Sequence, residues 1–372
     1  MSRKRAIFMS LILALFTGRC TYTLEDGGYD LSAFRENPGL TTLPEGLRGL
    51  VPANAEAVRA IPAPEEGEGL RFVIIGDTIS HNNETFRAFL GEIAGLDPRP
   101  AFIVHLGDRV VSPVVDFYGT YLRVIEDPPC PILHVDGNHD IRDEGDRISR
   151  ALFGDEDFFF DRGDMRFVFM SDVTRKGRGD GPPGFSRDQL DWLEDKLKSP
   201  SPSRKFFFAH VPPKAPFKPI TPGLASRFTP ELENEREFLD LLVRHKVVLA
   251  AFGHRHIHAS TVHDGVLMVI TGGGGQRNFL EPSVSAPRFT KKKHFTLVDI
   301  AASGPAEPLE GILSCMGIGR RALSVCSFVQ PSLLASGGSG IVTLRPYQAL
   351  AGGSSWPADP LPLGLGASSR TP

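Results

Sequence analysis

PILHVDGNHD, residues 131–140, carries an apolar run, Ile132 to Val135 with His134 inside it, into Gly137-Asn138-His139-Asp140. A short apolar run closed by a glycine reads as a buried strand ending in a sharp turn. The pattern recurs along the chain. RFVII is followed by Gly76-Asp77, AFIVHL by Gly107-Asp108, KFFFA by His210, and VVLAAF by Gly253-His254-Arg255-His256. Five strands thus bring Asp, Asp, Asn, His and a histidine pair to one edge, where open α/β sheets place their ligands. Glycine precedes four of the five groups, and a residue with no Cβ lets the backbone turn tightly beside an ion. Mixed oxygen and imidazole donors suit Mn, Fe or Zn better than Ca or Mg.

Helical patterns lie between the strands. ETFRAFLGEIAG places Phe86, Phe89, Leu90 and Ile93 on one face. FSRDQLDWLEDKL offers Ser186 as N-cap with Gln189 three residues on, a capping box, then the stripe Leu190, Leu193 and Leu197. DFFFDRGDMRFVFMSD reads as a hairpin, as does ASTVHDGVLMVITGG with its Asp264-Gly265 turn. Alternating strands and helices with added hairpins indicate an α/β layered fold of mixed sheets over residues 70–300.

Outside that region the composition changes. Residues 1–20 join a basic cluster, Arg3 to Arg5, to an apolar run of about a dozen residues, the build of a secretory signal and too short to span a bilayer comfortably. Cys20 resembles the acylated cysteine of a bacterial lipoprotein, although Arg19 stands where such signals want a small residue. The expectation is an exported protein, periplasmic or anchored to an envelope membrane through a lipidated Cys20. Residues 21–69, rich in Gly, Pro, Glu and Ala, read as a tether. Residues 301–372, poor in charge and rich in Gly, Ser, Pro and Leu, read as a low-complexity, disordered tail, or as residues of no evolved domain, such as a shifted reading frame yields. The four cysteines indicate no disulfide framework, and a net charge of −3 argues against a general nucleic-acid binder. At 41% hydrophobic and 23% charged, the 372 residues have ample material for a core.

Taken in order, GD (76–77), GD (107–108), GNHD (137–140), the lone His210 and GHRH (253–256) resemble the calcineurin-like metallophosphoesterases, over roughly Phe72 to Asp299. GNHD and GHRH are the specific blocks; either GD alone is weak. FSRDQLDWLEDKL also looks like the helix these enzymes carry before the lone-histidine strand. The resemblance implies a layered αββα sandwich of two mixed β-sheets flanked by helices. It implies two metal ions: Asp108 bridging, Asn138, His210 and His254 completing one, and Asp77 and His256 holding the other. Such a pair lowers the pKa of a bridging water, so hydroxide attacks phosphorus in line in a phosphomonoester or phosphodiester. His139 would then donate a proton to the leaving group or steady its charge, with Asp140 orienting its imidazole.

The chain departs from the family pattern at one ion. The first block usually reads D-x-H, and here it is Asp77-Thr78-Ile79. The purple acid phosphatase branch replaces that histidine with a tyrosine three residues after the bridging Asp, where this chain has Val111. His81 or Asn82 can reach in from the same loop, or they are plain loop residues. His105 and His134, inside apolar strands, read as hydrogen-bonded core residues; His245, His258, His263 and His294 as surface or strand residues. Arg255 reads as a solvated or paired arginine before a phosphate contact, and Lys291 to Lys293 as a solvated face. Loops 174–184 and 212–228 carry Lys and Arg that suit an anionic substrate. Two further readings stand beside the enzyme: a degenerate member that binds metal or a phosphorylated ligand without turnover, and an envelope-tethered interaction protein.

Overall fold

Each apolar run becomes a strand, because β-branched and aromatic side chains fill a pleated surface buried on both faces. In chain order the strands are β1 (Leu70–Ile75), β2 (Ile103–His105), β3 (Ile132–His134), β4 (Phe158–Arg162), β5 (Met165–Phe169), β6 (Arg204–Phe208), β7 (Leu249–Phe252), β8 (His258–His263), β9 (Val266–Thr271), β10 (Arg288–Thr290), β11 (His294–Ile300), β12 (Cys315–Met316), β13 (Val325–Val329) and β14 (Ile341–Gln348). The computed structural model describes residues 49–300, save 64–68, 80–82, 143–144, 174–181, 219–231, 276–283, 285 and 287, and the strands at 315–316, 325–329 and 341–348. Among the described residues no helix is long and apolar enough to cross a membrane.

The strands form two seven-stranded sheets, ordered β12-β13-β14-β11-β1-β2-β3 and β10-β8-β9-β7-β6-β5-β4. Both are mixed: β1, β2 and β3 run parallel, as do β5, β6, β7 and β9, while the pairings β1–β11, β4–β5 and β8–β9 are antiparallel. Side chains alternate faces along a strand, and the alternation sorts the described core into three apolar layers. Phe72, Ile74, Val104 and Leu133 of the first sheet meet Phe167, Phe206, Phe208 and Val269 of the second. Phe72 stands edge-on to Phe208 at 6.0 Å between ring centroids, and Phe102 to Phe167 at 5.4 Å. On the outer side of the first sheet Val73, Ile75 and Ile103 pack with Phe86, Phe89, Tyr118 and Tyr121. On the outer side of the second, Val168, Phe207 and Ala250 pack with Leu190, Leu193 and Phe238. Helix, sheet, sheet and helix layers are the expected αββα sandwich.

The helices follow their sequence signals. Glu84–Ala94 buries Phe86, Phe89, Leu90 and Ile93. Arg187–Lys198 buries Leu190, Leu193 and Leu197, and its capping box is closed at both ends: Gln189 N–H donates to Ser186 Oγ (3.2 Å), and Ser186 N–H to Gln189 Oε1 (2.9 Å). The Asp264-Gly265 turn joins β8 and β9 with both residues at positive φ (44° and 88°), the geometry of a tight hairpin.

Two boundaries differ from the composition reading. Residues 49–63, expected within the tether, belong to the domain: helix Asn54–Ala60 lies on the open edge of β3. The Asn54 amide donates to His134 O (3.0 Å) and accepts His134 N–H (2.8 Å), standing in for the missing neighbouring strand. Beyond residue 300 the expected disordered tail supplies β12, β13 and β14. β14 pairs with β11 from His294↔Gln348 to Ile300↔Val342, and Leu344 is buried in the core between the sheets. The β-branched residues of IVTL have an unpaired edge of β11 to join, which outweighs the Gly- and Ser-rich flanks. The signal at 1–20, with Cys20, lies outside the described residues.

Candidate metal centre

The C-terminal ends of β1, β2 and β3 in one sheet, and of β6 and β7 in the other, open on the same side, so the site straddles both sheets. Backbone bonds register the loops: Asp77 N–H donates to Gly107 O (3.0 Å) and Gly253 N–H to His210 O (2.9 Å). A side chain ties sheet to sheet, since His210 Nδ1–H donates to Leu106 O at 2.7 Å. At Gly107, with φ +87°, a Cβ would lie 2.8 Å from His210 Nδ1, so only glycine admits the imidazole there.

All six expected ligand residues converge. His210 has committed Nδ1, so Nε2 is the nitrogen it turns inward. Nε2 lies 3.2 Å from Asn138 Oδ1, 3.4 Å from Asp108 Oδ1 and 3.3 Å from His254 Nδ1. His254 Nδ1 is 2.9 Å from Asn138 Oδ1. Donor atoms of Asp108, His210 and His254 lie within 4.8 Å of one another. Beside this cluster His256 Nε2 approaches Asp77 Oδ1 at 3.4 Å. Asp77, Asp108 and His210 are buried, whereas Asn138, His139, His254 and His256 are half-buried, so the floor is dry and the wall faces solvent.

Asp77, Asp108 and His254, each directly after a glycine, all adopt positive φ: 58°, 54° and 63°. Left-handed backbone at non-glycine residues is costly, about 1–3 kcal/mol each, and is held where the surrounding structure over-determines it. Here the hydrogen bonds of the loops do so, and the three donors turn toward a common centre.

The residues present fit metal ions. Acceptor atoms this close repel unless a cation or shared protons lie among them. Asp77 Oδ1 is buried, facing His256 Nε2 at 3.4 Å, while Oδ2 accepts His254 N–H at 2.8 Å. Burial pulls His210 down, yet Asp108, with Asp77 and Asp172, outweighs it and raises the ring to about 10. A field that keeps positive charge on an imidazole so far above neutrality is one that attracts a cation. Burial raises Asp108 in turn, but His210 and His139 prevail and hold its carboxyl far below the ordinary range. Burial, then the charge on His210, lowers His254 to about 3, keeping it a neutral donor.

The expected role of Asp140 is corrected. Its carboxylate faces away from the His139 ring: Oδ2 accepts the N–H groups of Asp108 (2.8 Å) and Gly137 (2.9 Å), and Oδ1 that of Arg109 (2.9 Å). Buried acceptors at the end of a turn take the nearest backbone donors, so Asp140 braces two ligand loops. The His139 imidazole is set instead by Val111 O, 2.8 Å from Nδ1, while the His139 backbone N–H donates to Asp108 Oδ1 (2.8 Å). Val111 occupies the position of the alternative tyrosine and contributes through its main chain.

Ile79 is buried at 3% exposure and offers no donor; His81 and Asn82 lie outside the described residues, as do 174–181 and 219–231 of the loops expected to meet substrate. Arg255 is buried rather than solvated. His105 and His134 are core residues as expected, hydrogen-bonded to Thr78 Oγ1 and Tyr121 Oη, each at 2.9 Å. His258 and His294 start strands but are buried, their rings 5.3 Å apart.

Two supports escaped the sequence reading. Asp172 is buried, its carboxyl pushed by burial up to about 7, and accepts Val211 N–H at 2.7 Å, tying the end of β5 to the His210 strand. Gly272 to Gly275 run beside the Asp77 loop: a Cβ on Gly272 would meet Asp77 Oδ2 at 2.7 Å, and Gly274 N–H donates to Gly76 O at 2.9 Å. Four consecutive glycines after a strand were the visible signal.

The sequence model of the calcineurin-like phosphoesterase family matches residues 70–258, half of the chain. The chain belongs to the calcineurin-like phosphoesterases. Among curated proteins no relative matches the sequence. Solved structures similar to this calcineurin-like chain include purple acid phosphatase PPD1 from yellow lupin (Lupinus luteus) seeds, at 14% identity and TM-score 0.48, covering 77% of this chain and 55% of the lupin one. This chain thus spans about half the lupin protein's length. GAP50, the anchor in the inner membrane complex of Plasmodium, matches at 13% identity and TM-score 0.50, over 76% of this chain and 90% of its own. PhoD matches at 12% and 0.48, over 72% and 71%. At these identities the likeness does not assign activity.

Proposed function

We propose that this chain is a metal-dependent phosphoesterase that hydrolyses a phosphomonoester or phosphodiester. The observation that carries the reading is the convergence of Asp108 Oδ1, Asn138 Oδ1, His210 Nε2 and His254 Nδ1, with Asp77 Oδ1 and His256 Nε2, 3.4 Å apart, beside them. In this reading Asp108 would serve both groups, with Mn, Fe or Zn suited to the donors. Two bound ions supply Lewis-acid charge for the phosphate and a coordinated water of lowered pKa. The chain's residues do the rest. His139 is half-buried with Nδ1–H donating to Val111 O, which leaves Nε2 as the nitrogen whose proton, carried by the imidazolium form, passes to a leaving oxygen. The buried floor excludes water from behind the donors. The amino-terminal sequence adds export, with Cys20 as the point of lipid attachment.

The buried Ile79 favours a second reading, a family member that binds metal or a phosphorylated ligand without turnover. One experiment separates them: metal content by mass spectrometry alongside hydrolysis of a generic phosphomonoester and phosphodiester, with Mn, Fe, Zn or none, for the wild type and Asp108→Asn. Metal with turnover, both lost in Asp108→Asn, supports the enzyme. Metal without turnover supports the binder, and absence of both sinks each.

A further inference from the structure

Beneath the metal centre lies a buried ion cluster that the family blocks do not account for. Arg109, the residue after Asp108, is 1% exposed. Its Nη2 donates to Asp136 Oδ1 and to Ser149 Oγ (2.9 Å), and lies 3.3 Å from Asp140 Oδ2. The guanidinium carbon sits 4.4 Å above the centre of the Phe153 ring, and Ser149 and Phe153 both belong to helix Gly145–Phe153. Asp136 and Asp140 bracket Gly137-Asn138-His139. Asp140 in turn accepts the backbone N–H groups of Asp108, Arg109 and Gly137, and Asp108 Oδ1 accepts His139 N–H. One cation therefore gathers the two carboxylates that flank the Asn138 turn, and one of those carboxylates holds the Asp108 loop.

We infer that Arg109 is a positioning residue of the metal centre, its guanidinium setting the distance between the loop that bears Asp108 and the turn that bears Asn138 and His139. All three polar contacts come from Nη2, while Nε and Nη1 are buried with no hydrogen-bond partner among the described residues; the direction of Nη2 is fixed because the planar guanidinium is stacked on one face by Phe153. A lysine at the same place keeps the charge but not the planar group whose stacking on Phe153 fixes the direction of the donor. The two carboxylates can then close on a point charge, and the Asp108 and Asn138 oxygens move relative to each other. An ion held between them reads a shift of a few tenths of an ångström, as supporting groups behind metal ligands usually change affinity by about 10–100-fold.

The inference rests on the proposed metal binding, so the wild type is the first measurement: Co(II) affinity by competition with a chromophoric chelator, and the Co(II) visible spectrum. If the wild type takes up no Co(II), the proposed function falls by itself. If it does, Arg109→Lys should lower affinity for the tighter ion by about 10–100-fold and alter the spectrum, with thermal stability largely kept. Arg109→Met with Asp136→Asn removes a charge of each sign from the cluster; it should recover thermal stability relative to Arg109→Met alone without recovering affinity. Unchanged affinity and spectrum in Arg109→Lys would overturn the inference. So would recovery of both stability and affinity in the double variant, which would reduce Arg109 to charge balance. Failure of both variants to fold would make Arg109 a core residue first and overturn it as well.

Discussion

The most informative perturbation is slow removal of metal by dilute chelator, because the two halves of the site are unequal. In the proposed two-ion reading Asp108, Asn138, His210 and His254 would offer one ion four protein donors; Asp77, the shared Asp108 and His256 would offer the other three. Asp77 brings one oxygen only, as Oδ2 is taken by His254 N–H, and the buried Ile79 brings none. Four-ligand protein sites bind zinc with about 10–16 kcal/mol, or about 2.5–4 kcal/mol per ligand. One ligand fewer then corresponds to about 10²–10³-fold weaker binding. Native mass spectrometry along a chelator titration should therefore show a long plateau with one ion per chain, and hydrolysis should fall as the first ion leaves. Ile79→His should shorten that plateau by strengthening the weaker position, and His81→Ala should lengthen it only if His81 donates. Simultaneous loss of both ions, with no effect of Ile79→His, would refute the count of donors.

His139→Ala should keep its metal and lose about 10²–10⁴-fold in kcat, with a smaller loss for esters of acidic leaving groups; loss of metal would make His139 a ligand. A chain ending after Ile300 loses β14, seven residues of pairing with β11 and the buried Leu344, whose burial alone is worth about 1.5–3 kcal/mol; it should melt earlier and aggregate through the bared edge, and an unchanged Tm would show that β14 adds nothing. Burial lowers His294 to about 4 and moves His105 and His134 down as well. A lowered folded pKa means stability that is full above the unfolded value near 6.5 and lost as pH falls toward 4. His294→Gln should flatten that loss by about 3 kcal/mol between those limits, read by urea unfolding at each pH; identical pH slopes in the two proteins would contradict it.

How much of this was legible in the sequence depended on whether the governing contact was local. The helix faces at Phe86 to Ile93 and Leu190 to Leu197 repeat within a few residues, and Ser186 and Gln189 are neighbours, so periodicity and spacing sufficed. The six ligand candidates were legible because each closes an apolar run. Asn54 was not, since its partner His134 lies 80 residues away and nothing in PANAEAV announces a strand edge. β14 was hidden for the same reason: its worth depends on an open edge of β11, and its flanks look unstructured. The Asp140 error is of another kind. GNHD names the residues but not the direction of a side chain, and that direction was settled by backbone donors of the 108–110 loop.

The left-handed backbone at Asp77, Asp108 and His254 bears on inheritance. Glycine or asparagine would sit in those conformations more comfortably than the residues found there. A descendant that lost the donors would shed this backbone cost, but also the hydrogen bonds that Asp77 and Asp108 accept from His254 N–H and His139 N–H, with the sandwich itself kept. Persistence of these three residues in a lineage is therefore a record of selection on chemistry, and their replacement would mark the branch where the scaffold was released for another use.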